Sequence, residues 1–323
     1  MGIQYLTNNR IDKKAWDTCI AGSFNGNIFA FSWFLDILCE DWDALIEGNY
    51  EAVMPLTKRR FIKREIIVPP ALGYELGIFS FNPVVPAKTR SFIEALPKHF
   101  AYYRILLNKY NPIDNPSAGM QYIAHNRFEL DLIEPYFRLA ADFTAELQRR
   151  LNLAMARGFY LSSGLSPNDL IRFIRKHKIT VSKAFKDHHY RLLRSVIAGL
   201  ISYKAGELYG IYDARNELTS VALIAWFNTR INLICQVTIP GRKKDFPHMF
   251  LIDRIIDKYA ETSTTLLFDQ GIDPSYVSGY SDFGAKETSY IEIIHNKLPF
   301  PFNRMIDHPI LKTCLLSLHA NNS

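Results

Sequence analysis

The sequence predicts an α/β protein with a mixed sheet, built twice along the chain. Three observations carry this. First, from Thr219 to Asn296 the apolar pattern switches between strand and helix periods: SVALIAWF and INLICQVTI are strand-like, FPHMFLIDRIIDKYA is helical, and TTLLFD and SYIEIIHN are strand-like again. Second, the half before it follows the same order of helices, hairpin, strand, helix and strand, with no repeat by residue identity. Third, 323 residues with 48% apolar and 22% charged side chains is globular composition, long enough for two domains of about 150 residues each.

The elements follow in order. Residues 13–21 and 32–40 have helical spacing, with Ser32 as the N-cap of the second. DWDALIE and YEAVMPLT flank Gly48-Asn49 as a hairpin, and strands are expected at 65–68 and over LGIFSF. A helix over SFIEALPKHF and a strand over YRILLNKY follow, and QYIAHNRFELDL reads as a strand pair or one bent strand. Pro135 opens a helical stretch to Arg157, with Tyr136, Leu139, Phe143, Leu147, Leu151 and Ala154 on one face. This stretch is expected to connect the domains: an amino-terminal domain over 1–134, a connector over 135–157 and a carboxy-terminal domain over 158–323. In the latter, a strand (FYLSS), helices over 166–177 and 186–200, and the strand GELYGIYD lead into the hairpin closed by Asn228-Thr229-Arg230. Gly284 supplies a left-handed stop before the last strand.

The net charge of +6 admits nucleic acid, an anionic surface or a phosphorylated ligand. Aromatic residues are abundant, with 22 Phe and 17 Tyr, which fits wide sheets better than a helical bundle. Cys19, Cys39, Cys235 and Cys314 are far apart, form no CxxC and read as buried thiols of a reducing compartment, with no metal expected. No apolar run reaches the ~18 residues of a membrane span, and MGIQYLTNNRIDKK lacks the apolar core of a signal peptide. A cytoplasmic location is the expectation. Nothing in the sequence sets an oligomeric state.

The element order over 169–296 resembles the acyl-CoA N-acyltransferase (GNAT) fold. Gly279-Tyr280-Ser281-Asp282-Phe283-Gly284-Ala285 is similar to the FYxxFGF element that closes that fold. Phe268-Asp269-Gln270-Gly271, together with Arg127-Phe128-Glu129-Leu130-Asp131-Leu132 and a following helix bearing Arg149-Arg150, resembles the Fem-type peptidyl and aminoacyl transferases, which carry two such domains in tandem. The resemblance implies an N-acyltransferase or aminoacyltransferase that moves an acyl group from acyl-CoA or aminoacyl-tRNA to a small-molecule or peptide amine. One departure stands out. The Q/R-x-x-G-x-G/A turn that holds the CoA pyrophosphate is replaced by Gly241-Arg242-Lys243-Lys244, which weakens an acetyl-CoA reading more than a transferase reading.

Four groups of residues are candidates for chemistry. Gly241, Arg242, Lys243 and Lys244 place three cations beside a helix N-terminus, an anion site by charge and dipole, although such a turn also occurs as a solvated loop. Tyr280 stands where the resemblance implies a general acid for the leaving thiolate; a phenol suits this because it holds its proton at pH 7. Packing on the sheet is the competing account of that tyrosine. Asp269 ends a strand and fits a base, an amine-binding carboxylate or an Asx turn equally well. Glu287 and Tyr276 are weaker candidates of the same kind. Beyond these, the run Lys58-Arg59-Arg60-Phe61-Ile62-Lys63-Arg64 could meet RNA phosphates, with Phe61 as a stacking surface, or be a solvated face. His188-His189, adjacent on a helix, point about 100° apart and make a poor metal pair. A non-catalytic binding protein on the same fold and an RNA-binding protein are the alternatives to the transferase.

Overall fold

The computed structural model describes residues 2–39, 41–70, 72, 75–114, 119–177, 186–268 and 279–306. The chain divides into two compact units, 1–125 with 289–323, and 126–288.

The first unit contains β1 (Ile3–Leu6), α1 (Lys13–Gly22), α2 (Ser32–Leu38), β2 (Trp42–Glu47), β3 (Ala52–Phe61), β4 (Arg64–Ile67), β5 (Phe79–Ser80), α3 (Pro86–Glu94) and β6 (Tyr102–Leu106). β7 (Gln121–Asp131) begins in this unit and ends in the second. Strand order is β1-β2-β3-β4-β6, antiparallel except for the β4/β6 pair. Its main core joins Leu45, Met54, Leu56, Phe92, Ile93 and Ile105. Asp12 caps α1 by accepting from the N–H of Lys14 and of Ala15. Ser32 does not cap α2: its own N–H and hydroxyl both donate to Asp17, at 2.7 and 2.8 Å, so a carboxylate from α1 serves the start of α2.

The second unit continues with α4 (Tyr136–Ala141), α5 (Ala145–Ala156), β8 (Tyr160–Ser163), α6 (Pro167–His177), α7 (Asp187–Ser202), β9 (Gly206–Tyr212), β10 (Leu218–Phe227), β11 (Arg230–Thr238), α8 (Pro247–Tyr259) and β12 (Thr265–Phe268). Last come β13 (Lys286–Asn296), which returns to the first unit, and α9 (Phe302–Met305). Strand order is β8-β9-β10-β11-β12-β7, and β11/β12 is the parallel pair. α8 lies on one face, where Phe250, Leu251 and Ile255 join Ile224, Leu233, Leu266 and Phe268 in one core. α7 covers the other face at β9, where Gly206 leaves room for Leu200.

Two expectations are corrected here. Residues 135–157 are not a connector and not one helix. Asp142 ends α4, Thr144 starts α5 by accepting from the N–H of Leu147 at 3.2 Å, and Leu139, Phe143, Leu147 and Leu151 are buried in the second unit's own core. The carboxy-terminal segment does not stay with the second unit either, because Glu292 to Asn296 pair with Leu106 to Tyr102 of the first. Gln121–Asp131, expected as a pair or a bent strand, is one strand of 11 residues.

Gly206 allows one expected result. A Cβ there would stand 2.7 Å from the carbonyl oxygen of Ile224 and 3.0 Å from Cβ of Leu200, neither of which is the end of a flexible chain. Gly206→Ala is therefore expected to destabilise the second unit by about 1–3 kcal/mol through overpacking. Gly241→Ala, with nothing within 4 Å of its Cβ, should leave stability unchanged. Urea midpoints of the two variants measure the contrast.

Candidate active site

The site is built around a parallel strand pair. Among the described residues β11 matches β12 from Arg230/Thr265 to Leu233/Phe268 and itself runs on to Thr238. On its other side β11 stays paired with β10, with a bulge at Ile234, where the register passes from Leu233/Ile224 to Cys235/Leu223. A bulge adds twist, and here it falls just beyond Leu233, in the half of β11 that leads to the start of α8.

That start is itself unusual. The chain leaves β11 through a 3₁₀ turn, Pro240–Asp245, and enters α8 through Phe246 at φ 59°, a left-handed conformation that a phenylalanine adopts only under constraint. No side chain caps α8. Beneath it, Gln236 is buried and donates from Nε2 to the carbonyl of His248 at 2.7 Å, while its Oε1 has no hydrogen-bond partner among the described residues. Thr238 and Ser220 are also buried, with hydroxyls 2.8 Å apart.

The opposite face of the same strands carries charge. Asn232 stands across from Leu267, and Leu267 across from Glu129. Glu129 accepts from Arg127 two residues away, and Arg127 also donates to the Thr288 hydroxyl at 3.4 Å. One row further, Arg230, Thr265 and Asp131 are aligned, with the Thr265 hydroxyl donating to Asp131 at 2.8 Å. Arg127, Glu129, Arg230 and Asn232 are all more than nine-tenths buried, and the Asn232 amide nitrogen has no partner among the described residues. Unpaired polar groups in such a place are costly. A reading from residue spacing misses this row, because Arg127, Glu129 and Asp131 alternate with Phe128, Leu130 and Leu132 and so resemble a solvent face. Asn232 and Gln236 inside an otherwise apolar run were the available signal.

The expected site residues fall as follows. Tyr280 is buried against the end of β12, its ring stacked on Phe268 at 4.6 Å and edge-on to Phe128 at 6.4 Å. Gly279 before it approaches Met249 in the first turn of α8, so Tyr280 and the basic turn border the same helix start. Arg242 is committed elsewhere. It donates to Asp213 at 3.1 Å and Asp245 at 2.8 Å, with its guanidinium 6.0 Å from the Phe159 ring centre. Burial alone would raise the Asp213 carboxyl, but the N–H groups of Glu217 and Arg215 and the Arg242 guanidinium outweigh it and hold the carboxyl below its usual range. Burial likewise works against the Arg242 charge, and the two carboxylates override it. Lys243 is half-buried and Lys244 exposed. Glu287 is exposed on β13. Asp269 and Tyr276 lie outside the described residues.

The other expected surfaces change character. Lys58 turns inward onto Asp41 and Asp43, at 2.7 and 3.0 Å, and Phe61 is buried beside Ile66 and Ile294, so the run from Lys58 to Arg64 offers no stacking surface at Phe61. His189 is buried and accepts at Nδ1 from the N–H of Lys186 at 2.6 Å, a helix-start contact. Cys19, Cys39 and Cys235 are buried and form no disulfide among the described residues, and burial pushes Cys19 up to about 11; Cys314 lies outside the described residues. Among the described residues no helix is long and apolar enough to cross a membrane.

No family model matches the chain, and no curated protein matches it in sequence. Solved structures do match in shape. FemX superposes with a TM-score of 0.63 at 12% identity, over 95% of this chain and 100% of that one. The chain has the GNAT-like, Fem-type fold. L-PGS from Bacillus licheniformis matches with a TM-score of 0.57 at 12% identity, over 96% of this chain and 98% of that one. A tandem GNAT protein from the clavulanic acid biosynthesis pathway matches with 0.50 at 11% identity, over 92% and 99%. The expected fold class, two tandem GNAT-like domains with mixed sheets, therefore holds.

Proposed function

We propose that the chain is an N-acyltransferase or aminoacyltransferase, taking an acyl group from a phosphate-bearing donor, acyl-CoA or aminoacyl-tRNA, to an amine. The observation that carries this is the start of α8 without a side-chain cap, beside the basic turn Pro240–Asp245 that leaves β11. The helix start offers N–H groups and positive potential to the donor's phosphates, and backbone N–H groups are the donors expected to meet the carbonyl of the acyl group. Lys243 and Lys244 add charge there. Arg242 holds the turn in shape through Asp213 and Asp245.

Transfer to a neutral amine needs few side chains. The amine nitrogen bonds to the acyl carbon, the oxygen charge is held by backbone donors, and the C–S or C–O bond to the donor breaks as a proton passes to the leaving thiolate or alkoxide, the proton shed by the attacking nitrogen replacing the one given up. Tyr280, at the end of β12, is assigned the role of proton donor. The glycine-poor turn favours aminoacyl-tRNA over acetyl-CoA as donor. The opposing reading is a binding protein that kept the fold, and the neutralised Arg242 favours it; such a protein binds a donor but transfers nothing.

Calorimetric titration with CoA, acetyl-CoA and charged tRNA tests the donor site. Lys243→Ala with Lys244→Ala is expected to weaken the donor that binds about tenfold, or ~1.4 kcal/mol. Arg242→Ala is expected to lower thermal stability first. Equal donor affinity in the lysine variant and the wild type would remove the basic turn from the site.

A further inference from the structure

The second unit carries a basic concavity that the transfer site does not use. Asn168, Ile171, Arg172, Arg175 and Lys176 of α6 and Arg194 of α7 line an open hollow of about 570 Å³. Four of these six side chains are cations. They come together because α6 is strongly amphipathic: Leu170, Ile171, Phe173 and Ile174 are buried, which turns residues 168, 172, 175 and 176 outward, and α7 packs alongside with Arg194 exposed.

Their partners are few. Among the described residues Arg172 pairs with Asp169, its own neighbour one turn back, at 3.4 Å, and its side chain is 75% exposed. Arg175 is fixed by Asp187 at 2.8 Å and lies 4.4 Å from the Tyr190 ring centre, so one guanidinium is held in place. Lys176 and Arg194 have no carboxylate partner among the described residues. Arg191, one turn before Arg194, is exposed as well. Four cations facing only the carboxylates of Asp169 and Asp187 among the described residues leave an excess of positive charge, which an anion with several regularly spaced charges offsets.

We infer that this α6/α7 surface binds the phosphate backbone of RNA, as the docking site for the RNA part of an acyl donor. The inference rests on the transferase reading for its purpose. Concave shape and three guanidinium groups fit successive phosphates, since each fork can donate to two oxygens of one phosphate. A membrane surface fits less well, because stable docking there needs apolar side chains among the cations. The large exposed apolar residues of this helix pair, Ile201 and the following Tyr203, stand at the far end of α7, about 10 Å of helix beyond Arg194.

The test is fluorescence anisotropy with labelled, uncharged tRNA from 50 to 200 mM salt. The variant replaces Arg172, Lys176 and Arg194 by alanine, all exposed, and leaves Arg175 because it holds Asp187. A control replaces Arg90, Arg138 and Arg149 by alanine and so removes the same charge from other exposed sites. Affinity of the first variant is expected to fall at least tenfold, and its log–log salt slope to shrink by about 2, as loss of three phosphate contacts requires. The control should stay within twofold of wild type. Equal behaviour of the two variants, or a loss of binding to phosphatidylglycerol vesicles with tRNA affinity intact, would overturn the inference. Failure of the transferase reading would look different: no acyl transfer from any donor, whatever the tRNA affinity.

Discussion

Replacing Glu292 by alanine is expected to destabilise the first unit by about 3–5 kcal/mol, because it leaves a buried guanidinium without its counter-charge. Glu292 is fully buried on β13, accepts from Arg104 of β6 with one oxygen and from Nε2 of His125 with the other at 2.8 Å, and Arg104 is itself nine-tenths buried. His125 in turn stacks on Tyr290 at 5.4 Å. Urea denaturation of Glu292→Ala measures the loss. Replacing both ends of the pair, Arg104→Met with Glu292→Leu, should recover most of it, since the penalty comes from the unpaired charge. A single-variant loss below about 1 kcal/mol would mean that water reaches Arg104 freely.

The same pair gives a pH dependence. Burial pushes the Glu292 carboxyl up, but hydrogen bonds from Arg104 and His125 outweigh it and leave the group below its ordinary 4.5. A carboxyl lowered in the folded state contributes stability above its unfolded value and loses it as pH falls through the folded one. Wild-type stability should therefore decline below pH 4.5, and Glu292→Ala should lack that part of the decline.

The second large effect concerns Tyr280. Tyr280→Phe keeps the ring that stacks on Phe268 and removes only the hydroxyl, so packing is preserved while the assigned proton donor is lost. On the proposed role, kcat is expected to fall by about 10²–10⁴, the range for a general acid, with donor affinity unchanged. A purely structural hydroxyl would show instead as lower stability with kcat intact, so urea midpoints measured beside the kinetics separate the two.

Much of this architecture is legible in local patterns. The 3.6-residue spacing of Met249, Phe250, Ile252, Ile255 and Ile256 gives α8, and the β10/β11 hairpin forms as expected, although its turn is the two residues Asn228-Thr229 and Arg230 already pairs with Phe227. The left-handed stop at Gly284, φ 74°, is as expected from the glycine. What escaped depends on distant partners. Arg242 looks free in sequence, yet its counter-charge at Asp213 is 29 residues away on the β9/β10 connection. Ser32 looks like a cap until Asp17 is beside it. Phe61, in a basic run, gives no sign that Ile66, Tyr102 and Ile294 will bury it. The pairing of Leu233 with Phe268, and of Phe268 with Phe128, cannot be read from any one strand, because each shows only its own apolar pattern. Register is a property of the pair.

The most direct measurement is acyl transfer itself, with the purified chain, a radiolabelled acyl group on CoA or on tRNA, and a panel of small and peptide amines, the product followed by mass spectrometry. The proposed function predicts label in an amide product from at least one donor, reduced in Tyr280→Phe. Tight binding of a donor with no amide formed from any amine would contradict it and leave a binding protein on a transferase fold.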